Sequence, residues 1–182
     1  MKEISDEEAL RESLTHPELF GIIYERYHDE IFSHVYKLVQ NMEIAEDITE
    51  ETFLRAIDYR QSIIKSGAPF HRYLYRISTN KVFDYFRKEK RQRKVEEKLN
   101  IRESIREYSP NPYGTYDEEL IEAINNLPEL KRIIVIMYYF EEKNIEEIAL
   151  ILNKGKSTMS RTLNEARKDL HNAMWKKFEG KT

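Results

Sequence analysis

A set of cationic, hydroxyl and amide side chains recurs on one side of a short helical pattern near the carboxyl end of the sequence. Arg and Asn can make paired hydrogen bonds to guanine and adenine edges, whereas Lys and Ser suit phosphate oxygens. The residues of this kind are Lys156, Ser157, Thr158, Ser160, Arg161, Asn164, Arg167 and Lys168. Their spacing predicts an outward helix face that contacts the major groove of DNA.

A second set, in residues 70–94, combines cations with aromatic rings. Cations bind phosphates, and aromatic faces stack on unpaired bases, so this stretch suits a strand that has left the duplex. The candidate DNA-binding residues here are Arg72, Tyr75, Arg76, Asn80, Lys81, Arg87, Lys88 and Arg91. Some of the aromatic residues must lie in the core instead, and we assign Leu74, Ile77 and Tyr85 to the packed face.

A third set is acidic. The spacing of Asp47, Glu50 and Glu51 places their carboxylates around one face of a helix. Repulsion among these carboxylates is tolerated where a basic partner neutralises their charge, which indicates a protein-binding face. The alternative is that these residues only supply negative charge near a helix N-terminus, where the macrodipole favours it.

Apolar residues recur at three- and four-residue steps almost throughout, so the elements that position these side chains are helices. A Gly-Pro break at 65–69 separates two of them, and Pro128 precedes another. The predicted helices before the last pair lie near 17–41, 45–59, 70–94, 118–126 and 129–141.

Two short helices then follow across a tight turn. Asn144 can cap the first of them, with Glu147 at the capping-box position. Gly155 is expected to supply a positive φ in the turn, and the last helix starts near Ser157. The inward residues are Ile145, Ile148, Ala149 and Leu152 on the first helix and Met159, Leu163, Ala166 and Leu170 on the second. This pattern predicts a helix-turn-helix, although a helical hairpin with a basic solvent face would share it.

The predicted fold is therefore all-α. Two small helical domains, 1–94 and 118–178, are joined by a flexible linker at 95–117 that contains a Pro- and Gly-rich cluster, and the helix-turn-helix lies in the second domain.

Composition narrows the class of protein further. The 182 residues include no cysteine and five histidines without ligand spacing, so we expect neither a metal site nor a cofactor. Net charge is −3, but residues 1–30 are acidic whereas 87–94 and 154–177 are basic, which suits two kinds of partner. The polar N-terminus and a longest apolar run of eight residues, Ile133 to Phe140, predict a cytoplasmic protein without membrane insertion.

Taken together, these segments resemble a known family. Residues 45–56 (AEDITEETFLRA) resemble the polymerase-binding helix of extracytoplasmic-function sigma factors of the sigma-70 family. Residues 70–80 (FHRYLYRISTN), with Asp84 and Arg87, are similar to their −10 recognition helix. Ile121 to Leu170 resemble their −35-binding domain, so the similarity covers nearly the whole chain in the family's order.

The resemblance implies a role for each set of residues. It implies that the clamp helices of the largest subunit of RNA polymerase core bind Asp47, Glu50, Glu51, Phe53 and Arg55. It also implies that the 70–94 helix, with the preceding loop Gln61 to Pro69, captures and helps to melt the −10 element, and that the helix-turn-helix binds the −35 element. The expected protein is a promoter-specific initiation factor rather than an enzyme, with RNA polymerase core, promoter DNA and an anti-sigma factor as partners.

Three positions depart from the family pattern. Glu50 stands where the family usually has Gln, Tyr73 where it often has Trp, and Ser160-Arg161-Thr162 replaces a commoner Lys-Ser-Arg run. The last departure leaves the −35 sequence preference open. Two other interpretations remain: a stand-alone helix-turn-helix regulator, and a nucleic-acid-processing enzyme with a metal at Asp47 and Glu51.

Overall fold

The computed structural model describes residues 4–98, 113 and 117–179, and these contain α-helices and one 3₁₀ turn but no strand. The all-α prediction is therefore confirmed. The chain divides into two compact units, residues 1–109 and 110–182, each with its own core.

The helices of unit 1 differ from the predicted ranges: the one predicted near 17–41 is shorter, and those predicted near 45–59 and 70–94 are longer. They are α1 (Asp6–Glu12), α2 (Phe20–Val39, after a 3₁₀ turn at Pro17–Leu19), α3 (Met42–Ser66) and α4 (Phe70–Lys98). Helix α3 begins early because the Asn41 side chain accepts a hydrogen bond from the Ile44 amide at 2.9 Å. It ends at Gly67, whose φ of 63° is left-handed and suits glycine. Residues 61–66 of the expected Gln61–Pro69 loop are therefore part of α3.

The core of unit 1 forms where α2, α3 and α4 pack against one another, with α1 covering α2 and α3. Helix α4 contributes one stripe of buried residues: Phe70, Leu74, Tyr75, Ser78, Thr79, Val82 and Phe86. Of the three residues assigned to this face from sequence, Leu74 is buried, but Ile77 and Tyr85 are only half-buried. The error arose because two core positions, Ser78 and Thr79, are polar.

Helix α1 was not predicted, and it is tied to α2 by charge. The Asp6 carboxylate accepts a hydrogen bond from Arg26 at 2.6 Å and another from the hydroxyl of Tyr27. Burial and the bond to Asp6 raise the pKa of Tyr27. Protonated Tyr27 is therefore part of the contact that holds α1 on the unit.

Unit 2 consists of α5 (Glu118–Asn125), α6 (Glu129–Tyr139), α7 (Ile145–Ile151) and α8 (Lys156–Glu179). Helix α8 packs against the other three. The capping box is confirmed: the Asn144 side chain accepts from the Glu147 amide at 3.0 Å, and Glu147 accepts from the Asn144 amide at 2.8 Å.

Most of the predicted inward residues of the helix pair are buried. Ile148, Ala149, Met159, Leu163 and Ala166 lie in the core, while Ile145, Leu152 and Leu170 are half-buried.

The turn between α7 and α8 differs from the prediction. The residue with positive φ is Asn153, at 51°, and not Gly155. Asn tolerates the left-handed region better than other non-glycine residues because its short polar side chain can bond locally. Gly155 instead comes directly before α8, where its carbonyl accepts from the Met159 amide at 3.1 Å.

The structure describes part of the predicted linker, 95–117. Helix α4 continues through Lys98, and Tyr113 is buried with its ring centroid 4.9 Å from that of Phe140 in unit 2. The remainder of the predicted linker, 99–112 and 114–116, lies outside the described residues. Within the described part of the chain, no helix combines the length and apolarity needed to cross a bilayer.

Candidate nucleic-acid and partner interfaces

The outward face of α8 carries nearly all of the side chains that the sequence placed there. Lys156, Ser157, Ser160, Arg161, Asn164, Arg167 and Lys168 are exposed, and Thr158 is half-buried. Met159, Leu163 and Ala166 on the opposite side anchor the helix in the core. The face is therefore available to a partner over more than three turns.

Lys156, at the start of this face, already has a partner within the unit. Its ammonium group donates a hydrogen bond to the carboxylate of Glu146 on α7, and both side chains are exposed. The hydrogen bond and the charge of Lys156 lower the pKa of Glu146. A phosphate that binds Lys156 must therefore compete with this carboxylate.

Arg167 also has partners within the unit. Its Nε donates to the hydroxyl of Tyr139 at 2.7 Å, and its guanidinium lies 5.5 Å and 5.7 Å from the ring centroids of Tyr138 and Tyr139. Its NH1 donates to Oδ1 of Asn164 at 3.2 Å. The bond to Tyr139 is the main cause of a raised pKa at Arg167.

Two acidic residues of α8, Glu165 and Asp169, lie toward α6. Lys131 on α6 is 2.8 Å from the Asp169 carboxylate and 3.6 Å from that of Glu165. Hydrogen bonding to Asp169 is the main cause of a raised pKa at Lys131. The negative charge that would repel a phosphate backbone is thus matched by a cation on a neighbouring helix.

In unit 1, α4 presents a stripe of exposed polar residues on the side away from its core. Arg76, Asn80, Arg87, Lys88 and Arg91 all lie there. The stripe also includes the exposed cations Lys90 and Lys94 toward the carboxyl end of the helix. Arg87 is 3.0 Å from Asp84, which fixes its guanidinium on this side of the helix.

Two of the DNA-binding residues predicted on α4 do not lie on this stripe, and a third, Arg72, is half-buried. Tyr75 is 2% exposed, donates its hydroxyl to Glu30 at 2.9 Å and packs on His34, with ring centroids 4.7 Å apart. The structure therefore places this aromatic ring in the core and not on the exposed stripe. Lys81 is 16% exposed, and its ammonium pairs with Glu51 on α3.

The acidic face of α3 is exposed at Asp47, Glu50, Glu51 and Arg55. Phe53 was predicted to be part of this face, but it is 3% exposed and packs on Tyr24, with ring centroids 4.9 Å apart. It supports the helix from inside. Sequence reasoning missed Leu54, which is 63% exposed one turn after Glu50. Its position, seven residues after Asp47, could have placed it on this face.

The residues that could hold a metal do not converge. Among the described residues, no group of three or more His, Asp and Glu side chains has the geometry of a metal site. The candidate interfaces are the acidic face of α3 and the basic faces of α4 and α8.

Comparison with known proteins identifies both units. A model of sigma-70 region 2 matches residues 23–92, and a model of sigma-70 region 4 matches residues 117–170. The chain is 28% identical over 162 residues to the ECF RNA polymerase sigma factor SigW of Bacillus subtilis (strain 168), covering 83% of this chain and 86% of the relative. It is 25% identical over 170 residues to the RNA polymerase sigma factor YlaC of the same organism, covering 91% and 98%.

Solved structures share the fold. The sigma factor RpoE, in complex with the anti-sigma factor NepR from Bartonella quintana, matches with a TM-score of 0.67 and 21% identity over 86% of this chain and 97% of that chain. CnrH, in complex with the cytosolic domain of CnrY, matches with a TM-score of 0.65 and 16% identity over 93% and 96%.

Proposed function

The chain belongs to the extracytoplasmic-function group of the sigma-70 family, and we propose that its three charged helix faces divide polymerase binding and promoter recognition between them. As a sigma factor, it binds RNA polymerase core and directs promoter-specific initiation of transcription. The observation that supports the residue-level assignment is the separation of charge: the acidic face of α3 and the basic stripe of α4 are both exposed on unit 1.

The acidic face of α3 is the proposed polymerase-binding surface. Asp47, Glu50 and Glu51 suit a basic partner such as the clamp helices of the largest subunit, and Arg55 lies 3.7 Å from Glu51. The exposed side chain of Leu54, one turn after Glu50, adds an apolar contact to this charged surface. Stable protein interfaces typically combine apolar contacts with a charged rim.

The basic stripe of α4 is the proposed −10 surface. Its exposed cations, Arg76, Arg87, Lys88 and Arg91, suit the phosphates of a single strand, and Asn80 suits a base edge. Melting costs a few kcal/mol for each base that leaves the stack, so a factor that helps to melt DNA must bind the released strand. Tyr75 supports this helix from the core instead of stacking on a base.

The outward face of α8 is the proposed −35 surface. In a helix-turn-helix the N-terminal part of the second helix contacts base edges, which here places Ser160, Arg161 and Asn164 closest to the bases. The chain performs no covalent chemistry in this proposal, because the polymerase makes the RNA. It works in the cytoplasm, where the polymerase is.

We also propose an anti-sigma factor as a partner. The sigma factors RpoE and CnrH, which share this fold, were solved with the anti-sigma factor NepR and with the cytosolic domain of CnrY, respectively. A regulator of this kind would hold the chain away from the polymerase by covering one or more of the three charged faces.

Charge reversal tests the polymerase assignment. Asp47→Lys with Glu50→Lys should abolish capture by core polymerase, because both carboxylates are exposed and the double change inverts the sign of the face. The matched control reverses Glu12 and Glu25, which are exposed carboxylates on α1 and α2. Circular dichroism checks folding. Undiminished capture of the folded Asp47/Glu50 variant would refute the assignment.

Footprinting tests whether the chain depends on core polymerase. Each DNA-binding face is small, and linking two weak sites helps only when their spacing matches the two promoter elements. We therefore expect specific promoter protection only when core polymerase is present. Sharp protection by the isolated chain at physiological salt would instead identify a stand-alone regulator.

A further inference from the structure

The guanidinium of Arg167 is held between the end of α6 and the outward face of α8. Nε donates to the Tyr139 hydroxyl at 2.7 Å, which is a good length for a hydrogen bond to a charged donor. The rings of Tyr138 and Tyr139 both lie within 6 Å of its central carbon, at 5.5 and 5.7 Å, where cation–π attraction adds to the bond. Two neighbouring residues of α6 therefore fix one side chain of α8.

Arg167 in turn constrains Asn164, one turn earlier on the same helix. A guanidinium carries five N–H donors and no acceptor, so only the oxygen of a carboxamide can face it. NH1 of Arg167 is 3.2 Å from Oδ1 of Asn164. If the carboxamide were turned over, its NH₂ group would face a donor and the bond would be lost. The orientation of the Asn164 amide is thus set by Arg167.

Accepting that α8 binds the upstream promoter element, as proposed above, we infer that Tyr139 and Arg167 are positioning residues that make Asn164 select bases with a keto oxygen. In the usual contact with adenine, an Asn side chain turns its oxygen and its nitrogen toward the same base edge. Here one lone pair of that oxygen already accepts from Arg167, so Asn164 meets the groove chiefly with its two N–H donors. Guanine offers two adjacent acceptors for them, O6 and N7, and thymine offers O4, whereas adenine has an amino donor beside its N7 acceptor and cytosine presents only an amino donor.

Docking on DNA strengthens this arrangement. Asn164 and Arg167 are both exposed in the free chain, so water competes for the bond between them. When the groove excludes water, hydrogen bonds to a charged donor become stronger and unpaired donors become costly. The two tyrosines keep the guanidinium in place before docking, which lowers the conformational entropy lost on binding.

Selection by the holoenzyme tests the inference. Core polymerase reconstituted with the chain is allowed to bind a promoter library whose upstream element is randomised, and the bound DNA is sequenced. Asn164→Ala identifies the promoter position that Asn164 contacts, because the base preference at that position should weaken or disappear in this variant. At that position the wild type should favour guanine or thymine over adenine by about fivefold or more.

The two positioning residues are then changed. Arg167→Ala frees the carboxamide to turn, so the preference at the same position should move toward adenine. Tyr139→Phe keeps the ring but removes the hydroxyl, so it should move the preference in the same direction by a smaller factor. Lys168→Ala is the matched control: it removes a neighbouring exposed cation of α8 and should lower binding to all sequences without moving the preference.

Specific outcomes would overturn the inference. They are an adenine or cytosine preference of the wild type at the Asn164 position, no position that depends on Asn164, or an unmoved preference in the Arg167 and Tyr139 variants. A uniform loss of binding in those variants would make Arg167 a phosphate contact only. If the wild-type holoenzyme selects no upstream sequence at all, the proposed function of α8 fails as well, and that result is seen before any variant is made.

Discussion

The ammonium of Lys81 on α4 pairs with the carboxylate of Glu51 on α3, thirty residues earlier in the chain. Sequence reasoning assigned these two residues to different partners, Glu51 to the polymerase and Lys81 to DNA. The structure joins them across a helix–helix contact, with Lys81 mostly buried and Glu51 half-exposed. The pair therefore links the acidic face of α3 to the helix that carries the proposed −10 surface.

Removing the cation of this pair should cost stability. Lys81→Met leaves Glu51 without its closest partner, and we expect a loss of about 1 kcal/mol in the free energy of unfolding, since the pair is partly screened by solvent. Denaturant unfolding measures it. The control is Lys88→Met, which removes an exposed cation of the same helix. Equal stability of the two variants would mean that the pair contributes nothing.

Tyr75 should behave as a core residue. Tyr75→Ala opens a cavity between α2 and α4 and should cost about 3–5 kcal/mol of folding stability. Tyr75→Phe loses only the hydroxyl bond to Glu30, so a cost of about 1 kcal/mol is expected. Thermal unfolding separates the two. If Tyr75→Ala folds normally and loses only −10 DNA binding, the residue is a base contact after all.

Tyr27 makes the stability of unit 1 sensitive to alkaline pH. Its pKa is raised in the folded chain by burial and by Asp6, so the folded state favours the protonated phenol more than the unfolded state does. Its contribution is complete below the unfolded pKa of about 10 and is lost as pH rises toward the folded pKa. Tyr27→Phe should therefore lose less stability than the wild type between pH 8 and pH 10.5.

Denaturant titrations at the two pH values measure this difference. Tyr59→Phe, which changes an exposed tyrosine of α3, is the matched control and should follow the wild type. The linkage to Tyr27 is excluded if the Tyr27 and Tyr59 variants lose stability equally.

The helix-turn-helix turn should depend on Asn153 and not on Gly155. Asn153→Val places a β-branched residue in the left-handed region and should cost about 1–2 kcal/mol. Gly155→Ala should cost less than about 0.5 kcal/mol, because the added Cβ would lie 3.7 Å from Thr158 Oγ1, an ordinary contact. Unfolding of unit 2 in the full chain measures both, and the reverse order would restore the turn expected from sequence.

Glu146 should weaken promoter binding in the wild type. Its carboxylate occupies Lys156 and adds negative charge near the proposed DNA face. Glu146→Gln should tighten holoenzyme binding to the upstream element about two- to fivefold at low salt, with the gain shrinking as salt rises. Glu118→Gln, an exposed acid of α5, serves as the control. An unchanged affinity would show that Lys156 does not reach the DNA.

The predictions from sequence succeeded where the signal was local. The capping box at Asn144 and Glu147 needs only neighbouring residues, and so does the helical spacing that exposes Arg161 and Asn164. They failed where a partner distant in sequence determines whether a side chain is buried or paired. Phe53, Tyr75 and Lys81 have the right residue types for binding, but Tyr24, Glu30 and Glu51 draw them into contacts within the unit. Likewise, no local sequence signal indicates that the Tyr139 hydroxyl accepts a hydrogen bond from Arg167, twenty-eight residues later in the chain.

Helix α4 has two parts with different supports. From Phe70 to Phe86 it is anchored by a buried stripe, but from Arg87 to Val95 no residue is buried. This outer part lacks a buried anchor and is held by its own backbone hydrogen bonds and by pairs such as Arg93 with Glu89. Its amides should exchange with solvent far faster than those of the anchored part, since local opening there disrupts no packing. Part of the free energy of binding a DNA strand at the proposed −10 surface then goes into ordering this segment, so the affinity should fall steeply with temperature.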